Sequence, residues 1–120
     1  MDGSINAWIG KAKKDIGTAE LLLKNSRFED SAFFSQQAAE KSLKAVLLKR
    51  TKKIRKIHDL VELGRDVNLP EELLEGAKKL TMAYIYSRYP DVKREREMDD
   101  IAGDLLEIAR GILEWAETKL

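Results

Sequence analysis

FEDSAFFSQQAAEKSLKAVLLKR, residues Phe28–Arg50, is the stretch whose reading decides the fold. It holds no Gly or Pro and consists largely of good helix formers, so it predicts one long helix. On a 3.6-residue wheel its apolar residues fall into two sectors. Ala32, Ala39, Leu43, Val46 and Leu47 share one, and Phe34, Ala38 and Ala45 share the other. A surface helix needs a single apolar stripe, so two sectors predict packing on both sides, as in the central helix of a bundle. Between them runs a narrow polar strip of Gln37, Glu40, Lys41 and Lys44, with Phe33 and Leu48 beside it. Polar residues one turn apart on an otherwise buried helix face a cleft, a subunit interface or solvent.

Working outward, Met1–Gly3 reads as a frayed lead, and Ser4 or Asn6 as the cap of a first helix. That helix presents Ile5, Trp8, Ile9, Ala12, Ile16, Ala19 and Leu23 on one face. Gly17 within it lowers helix propensity and offers a place for a close helix–helix approach. Asn25–Arg27 is short enough to return the central helix antiparallel to the first. After Lys49–Thr51 the density of like charge from Lys49 to Lys56 predicts a loop. A short helix is expected over His58–Asp66. Pro70 followed by Glu71 and Glu72 marks the first turn of another, running to about Ser87 before Pro90 stops it. Asp91–Met98 reads as an exposed polar loop. Asp99 or Asp100 then caps a last helix with Ile101, Leu105, Ile108, Ala109, Ile112, Leu113 and Ala116 on its apolar face. With no strand candidate and no repeat, the expected fold is all-α: one domain over residues 1–120, an up-down four-helix bundle with an additional short helix.

Composition sets bounds on this. The 120 residues suffice for one core. Net charge is +1, but residues 1–60 carry 13 Lys/Arg against 7 Asp/Glu, and residues 61–120 carry 9 against 14. That asymmetry points to a directed electrostatic surface or to self-association. No cysteine is present, which excludes disulfides and thiolate chemistry. No apolar run approaches a membrane span and no signal-peptide pattern opens the chain, so a soluble cytoplasmic protein is expected. No metal-ligand spacing and no Gly-rich phosphate loop appears, and no cofactor is expected.

Three features carry candidate chemistry. Ser87–Arg88–Tyr89–Pro90–Asp91 combines donors, an aromatic face and an acceptor at a helix end. It also reads as a plain helix stop, with Arg88 against the dipole and Asp91 pairing locally. The Lys49–Lys56 run offers phosphate contacts or a solvated basic loop, and without an aromatic it offers no base stacking. His58, the sole histidine, is an acid/base or phosphate group, or else an N-cap or loop residue beside the short helix. Gln37, Lys41 and Lys44 are either a cleft wall or a solvated strip.

In order, these pieces resemble the HEPN family (higher eukaryotes and prokaryotes nucleotide-binding domain). The resemblance is carried by a Trp early in the first helix, the QQAAEKSLK block (Gln36–Lys44), HDL (His58–Leu60) and SRYPD (Ser87–Asp91). It implies a bundle pairing as a homodimer, with a cleft where the central helix meets the Arg-bearing helix end. It also implies a minimal nucleotidyltransferase partner, in a toxin–antitoxin type system. The active ribonucleases of the family carry Arg followed after four to six residues by His. Here the corresponding positions hold Lys93, Arg94 and Glu95, so the pattern lacks its acid/base member.

The first reading is therefore a binding module for a nucleotide, RNA or that partner, with Gln37, Lys41, Lys44, His58, Arg88, Tyr89 and Asp91 at the site. The alternatives are a purely structural dimeric helical adaptor and a metal-independent ribonuclease recruiting the non-adjacent His58.

Overall fold

The computed structural model describes residues 3–53, 56, 58–91 and 97–120. Five helices make up the fold, with no strand among the described residues: α1 (Gly3–Lys24), α2 (Phe28–Thr51), α3 (Leu60–Asp66), α4 (Glu71–Arg88) and α5 (Met98–Thr118). Among the described residues α2 alone packs against all four others, which makes it the centre of the bundle. The expected all-α architecture and the short inserted helix are both present. None of the helices is long and apolar enough to cross a membrane, as judged on the described residues.

The two-sided burial of α2 has a chemical basis in small side chains. Ser31, Ala32, Ser35, Ala38, Ala39, Ser42 and Ala45 are all fully buried, and their size lets neighbouring backbones come close. Ser31 Oγ donates to Ala19 O at 2.8 Å, fixing the start of α2 against α1. Ser42 Oγ donates to Ala38 O within the helix itself. The turn between α1 and α2 is tight because Ser26 takes a left-handed conformation (φ 59°) and Arg27 N donates to Leu22 O at 2.8 Å. At the other end Lys52 is left-handed, and its N–H reaches Leu48 O at 2.9 Å, closing the helix. Lys49 and Arg50 stay inside the last turn, where cations suit the dipole, and Arg50 donates to Val67 O.

Several local expectations shift. Gly3 belongs to α1 rather than to a frayed lead; Met1 and Asp2 lie outside the described residues. The short helix starts at Leu60, not His58, because Asp59 is its cap: Oδ1 accepts from Val61 N and Glu62 N at 2.9 and 3.1 Å. Pro70 is the N-cap of α4 rather than its first residue. Met98 is 3% exposed and opens α5, so it does not belong to the polar loop; its burial pulls the helix start ahead of Asp99 and Asp100, which occupy the first turn. Residues 92–96 of that expected loop, with Lys93, Arg94 and Glu95, lie outside the described residues, as do Ile54 and Arg55 of the basic run.

Gly17 makes no close approach: a Cβ built there meets nothing within 4 Å. The glycine that does is Gly76 of α4, where a Cβ would come 2.6 Å from Ile108 Cγ2 of α5. Hydrophobic periodicity flags a glycine in a helix but not the face it occupies.

Candidate functional site

The N-terminal half of α2 meets the C-terminal half of α4, and the segment ahead of α3 closes the third side. Together they border a cleft of about 520 Å³, lined from α2 by Phe33, Gln36, Gln37 and Glu40, from α4 by Tyr84 and Arg88 among others, and by His58 and Asp59. That volume is within the range of small-molecule sites.

Arg88 is held by rings. Phe33 and Tyr84 stack at 5.8 Å between centroids and 25° between planes, and the Arg88 guanidinium lies 5.5 Å from one ring and 5.4 Å from the other. Tyr84 precedes Arg88 by four residues, so both fall on one face of α4, while Phe33 comes across from α2. Among the described residues no carboxylate or carbonyl pairs with Arg88. The local Arg88–Asp91 pairing of a plain helix stop is absent, and the fork of N–H donors stays available for an anion.

Glu40 is the polar centre of the opposite wall. Its side chain is 7% exposed, yet three donors reach it. Lys44 Nζ is 3.1 Å and His58 Nδ1 3.0 Å from Oε2, and Gln36 Nε2 is 3.4 Å from Oε1. Gln37 Nε2 donates in turn to Gln36 Oε1 at 2.8 Å. A buried carboxylate needs compensation of this kind, which Lys44 and the hydrogen bonds supply. His58 is by contrast 77% exposed, anchored below by Glu40 and open above to the cleft.

The expected site residues therefore divide. Gln37, His58 and Arg88 border one cleft. Lys41 faces α1, where it pairs with the buried Asp15. Lys44 is 5% exposed and lies beneath the cleft, between Glu40 and the Trp8 ring at 5.6 Å. Neither lysine lines the cleft, so the polar strip divides: Gln37 and Glu40 form part of the cleft wall, and the two lysines are counter-ions to buried carboxylates. Tyr89 is 53% exposed and, with Asp91, lies beyond the helix end, outside the cleft. His58 is not an N-cap, since Asp59 does that work. The sequence puts Glu40 in the strip without marking it as a site residue. Its i−4 Gln and i+4 Lys were visible signals, whereas the approach of His58 from another segment was not. Among the described residues no group of acidic or imidazole side chains is arranged to hold a metal ion.

The HEPN domain model matches residues 5–119. The chain belongs to the HEPN family. Solved structures share its fold, among them the following two. TT1696 from Thermus thermophilus is 30% identical, with a TM-score of 0.86, over 99% of this HEPN chain and 100% of that one. ST0689, described as an archaeal HEPN homologue, is 29% identical with a TM-score of 0.79, over 96% of each chain. The protein named "Putative toxin MJ1304" of Methanocaldococcus jannaschii is 44% identical over 41 residues. Those residues are 34% of this HEPN chain and 27% of that relative, so only about a quarter of its length is matched.

Proposed function

We propose that this HEPN protein is a binding module for a nucleotide or RNA, working with a minimal nucleotidyltransferase partner in a toxin–antitoxin type system. The observation that carries the reading is Arg88. It is a guanidinium braced on two rings, unpaired with any carboxylate among the described residues, at the mouth of a cleft of nucleotide size. Such a group binds phosphate through directed, charge-assisted bonds and loses little freedom in doing so. Gln37 and His58 add polar contacts on the facing side. Lys52, Lys53 and Lys56 are exposed, and Lys56 is two residues from His58, so its Cα is within about 7 Å of that rim. A phosphate backbone leaving the cleft would meet positive charge there. The name of the Methanocaldococcus relative supports the toxin side of the system. The reading includes a homodimer and a cytoplasmic setting.

Arg88→Ala is expected to weaken binding of a short labelled RNA about tenfold or more, the scale of a lost charge-assisted bond. Fluorescence anisotropy measures this, and light scattering on the chain co-expressed with its genomic neighbour measures the complex. Unchanged binding of RNA, nucleotides and partner by Arg88→Ala would remove the assignment.

One observation favours a second reading, metal-independent RNA cleavage. His58 and Arg88 are far apart in sequence yet border the same cleft, so a base and an anion-stabilising group face one space. RNA ends bearing a cyclic phosphate, lost in both His58→Ala and Arg88→Ala, would establish it.

A further inference from the structure

A second recess lies between α4 and α5, on a different face of α4 from the cleft. It holds about 750 Å³, and its apolar lining is Met82, Ala83, Tyr86, Ile101, Leu105 and Ile108. Met82 is 48% exposed, whereas Ala83 and Leu105 are buried. The two helices run antiparallel in a fixed register. A Cβ at Gly76 would come 2.6 Å from Ile108 Cγ2, and one at Gly111 would come 3.5 Å from Leu73 Cδ2. Lys79 is about one turn beyond Gly76 and Asp104 about one turn before Ile108, so the two stand at the same height on opposite rims. Lys78 pairs with Glu75 at 2.9 Å, and Glu107 pairs with Arg110. Lys79 and Asp104 have no ion-pair partner among the described residues. The recess thus has an apolar middle, an open cation on the α4 rim and an open carboxylate on the α5 rim.

We infer that a second copy of the chain covers this recess, with the two-fold axis running along the groove. Rotation about that axis lays α4 of one copy over α5 of the other and leaves heights along the groove unchanged. Lys79 then faces the partner's Asp104, and Asp104 faces the partner's Lys79, so both open charges are met in one closed arrangement. Met82 of each copy comes over the apolar α5 side of the other recess. An axis across the groove would instead lay α4 on α4 and α5 on α5, with cations sharing one strip and carboxylates the other. Charge therefore selects the orientation. Two helices side by side, each about 10 Å wide and about 27 Å long, present about 500 Å² on each copy. The total of about 1,000 Å² is what a specific but modest interface needs. The inference rests on the homodimer in the proposed reading and names the face it uses.

Sedimentation velocity of the full chain across a concentration series tests it. The wild type is expected to show a monomer–dimer equilibrium in the micromolar range. Lys79→Glu sets carboxylates against each other at both rims and is expected to weaken the dimer about tenfold or more, as is Asp104→Lys. The two substitutions together restore it to within about threefold of the wild type, because both pairs are rebuilt with their signs exchanged. Met82→Glu puts a charge into the apolar middle and is expected to weaken it at least as much as either reversal. All three positions are exposed, and the rescued double variant shows that the reversed chains fold.

A dimer that no variant weakens uses another face, which overturns the inference while the homodimer stands. Single reversals that the double variant does not rescue overturn it as well, since α4 and α5 would then not face each other. A monomer at every concentration overturns both the inference and the homodimer, and leaves the Arg88 reading to be decided by RNA binding. If such a monomer loses its complex with its genomic neighbour in Met82→Glu, the recess belongs to that partner, and the inference is overturned.

Discussion

Glu40 shows how much one side chain can organise. It is a nearly dry carboxylate whose neighbours include a lysine that is itself 5% exposed. Removing the carboxylate strands that lysine without a partner, and breaking a buried pair costs about 3 kcal/mol or more. Glu40→Ala is therefore expected to lower unfolding free energy by about that amount in urea denaturation, and Lys44→Met by less, since Gln36 and His58 still reach the carboxylate that it deprives of its lysine. A Lys44→Met variant as stable as the wild type would mean that the pair contributes through packing alone. At this scale the sequence was legible in part. The i, i+4 spacing of Gln36, Glu40 and Lys44 permits contact along one helix face, although the strip as read from the sequence leaves out Gln36. It did not announce that they were inside, because Lys44 is covered by Trp8, a residue of α1 far away in sequence. Arg88 was legible as a functional candidate from its place at a helix end. Its support by Phe33 was not, since that contact forms only once α2 and α4 pack together.

Helices reveal their ends and faces with unequal clarity. The existence and order of all five followed from apolar periodicity, a signal that comes from many residues at once. The start of α2 stayed at Phe28, while the others moved by a few positions because a start depends on a single cap, and Asp59 outcompetes His58 for that job through two N–H bonds. Glycines divide in the same way. Gly17 borders open space, so Gly17→Ala is expected to stabilise the domain by about 0.5–1 kcal/mol through backbone entropy. Gly76 lies 2.6 Å, at its would-be Cβ, from Ile108, so Gly76→Ala is expected to destabilise by about 1–3 kcal/mol through overpacking of α4 on α5. Thermal melts of the two variants should move in opposite directions. A shared direction would mean that the spacing of α4 and α5 adjusts more freely than the close contact implies.

Over the whole molecule, charge is unevenly shared between the two halves of the chain, and the basic excess lies in the half that contains α2 and the residues leading to His58. With Arg88, Lys52, Lys53 and Lys56 as contacts, single-stranded RNA affinity is expected to fall with salt at a slope of about −2 to −3 in log–log form, and Arg88→Ala to flatten it by less than one unit. Titrations at several potassium chloride concentrations measure both, and a flat response would place the ligand off this surface. The packing of α2 against every other helix has a different consequence, for how the family member can change over time. Its side of the cleft is built from residues whose neighbours are already occupied: Gln36 and Glu40 are engaged with each other, and the turns on either side are core. The α4 side carries Thr81 and Arg88 on a helix whose outer face, at Met82, is 48% exposed. Substitutions there disturb fewer neighbours. Within one chain the α4 wall is thus freer to change, while the α2 wall is held in place by the fold it also maintains.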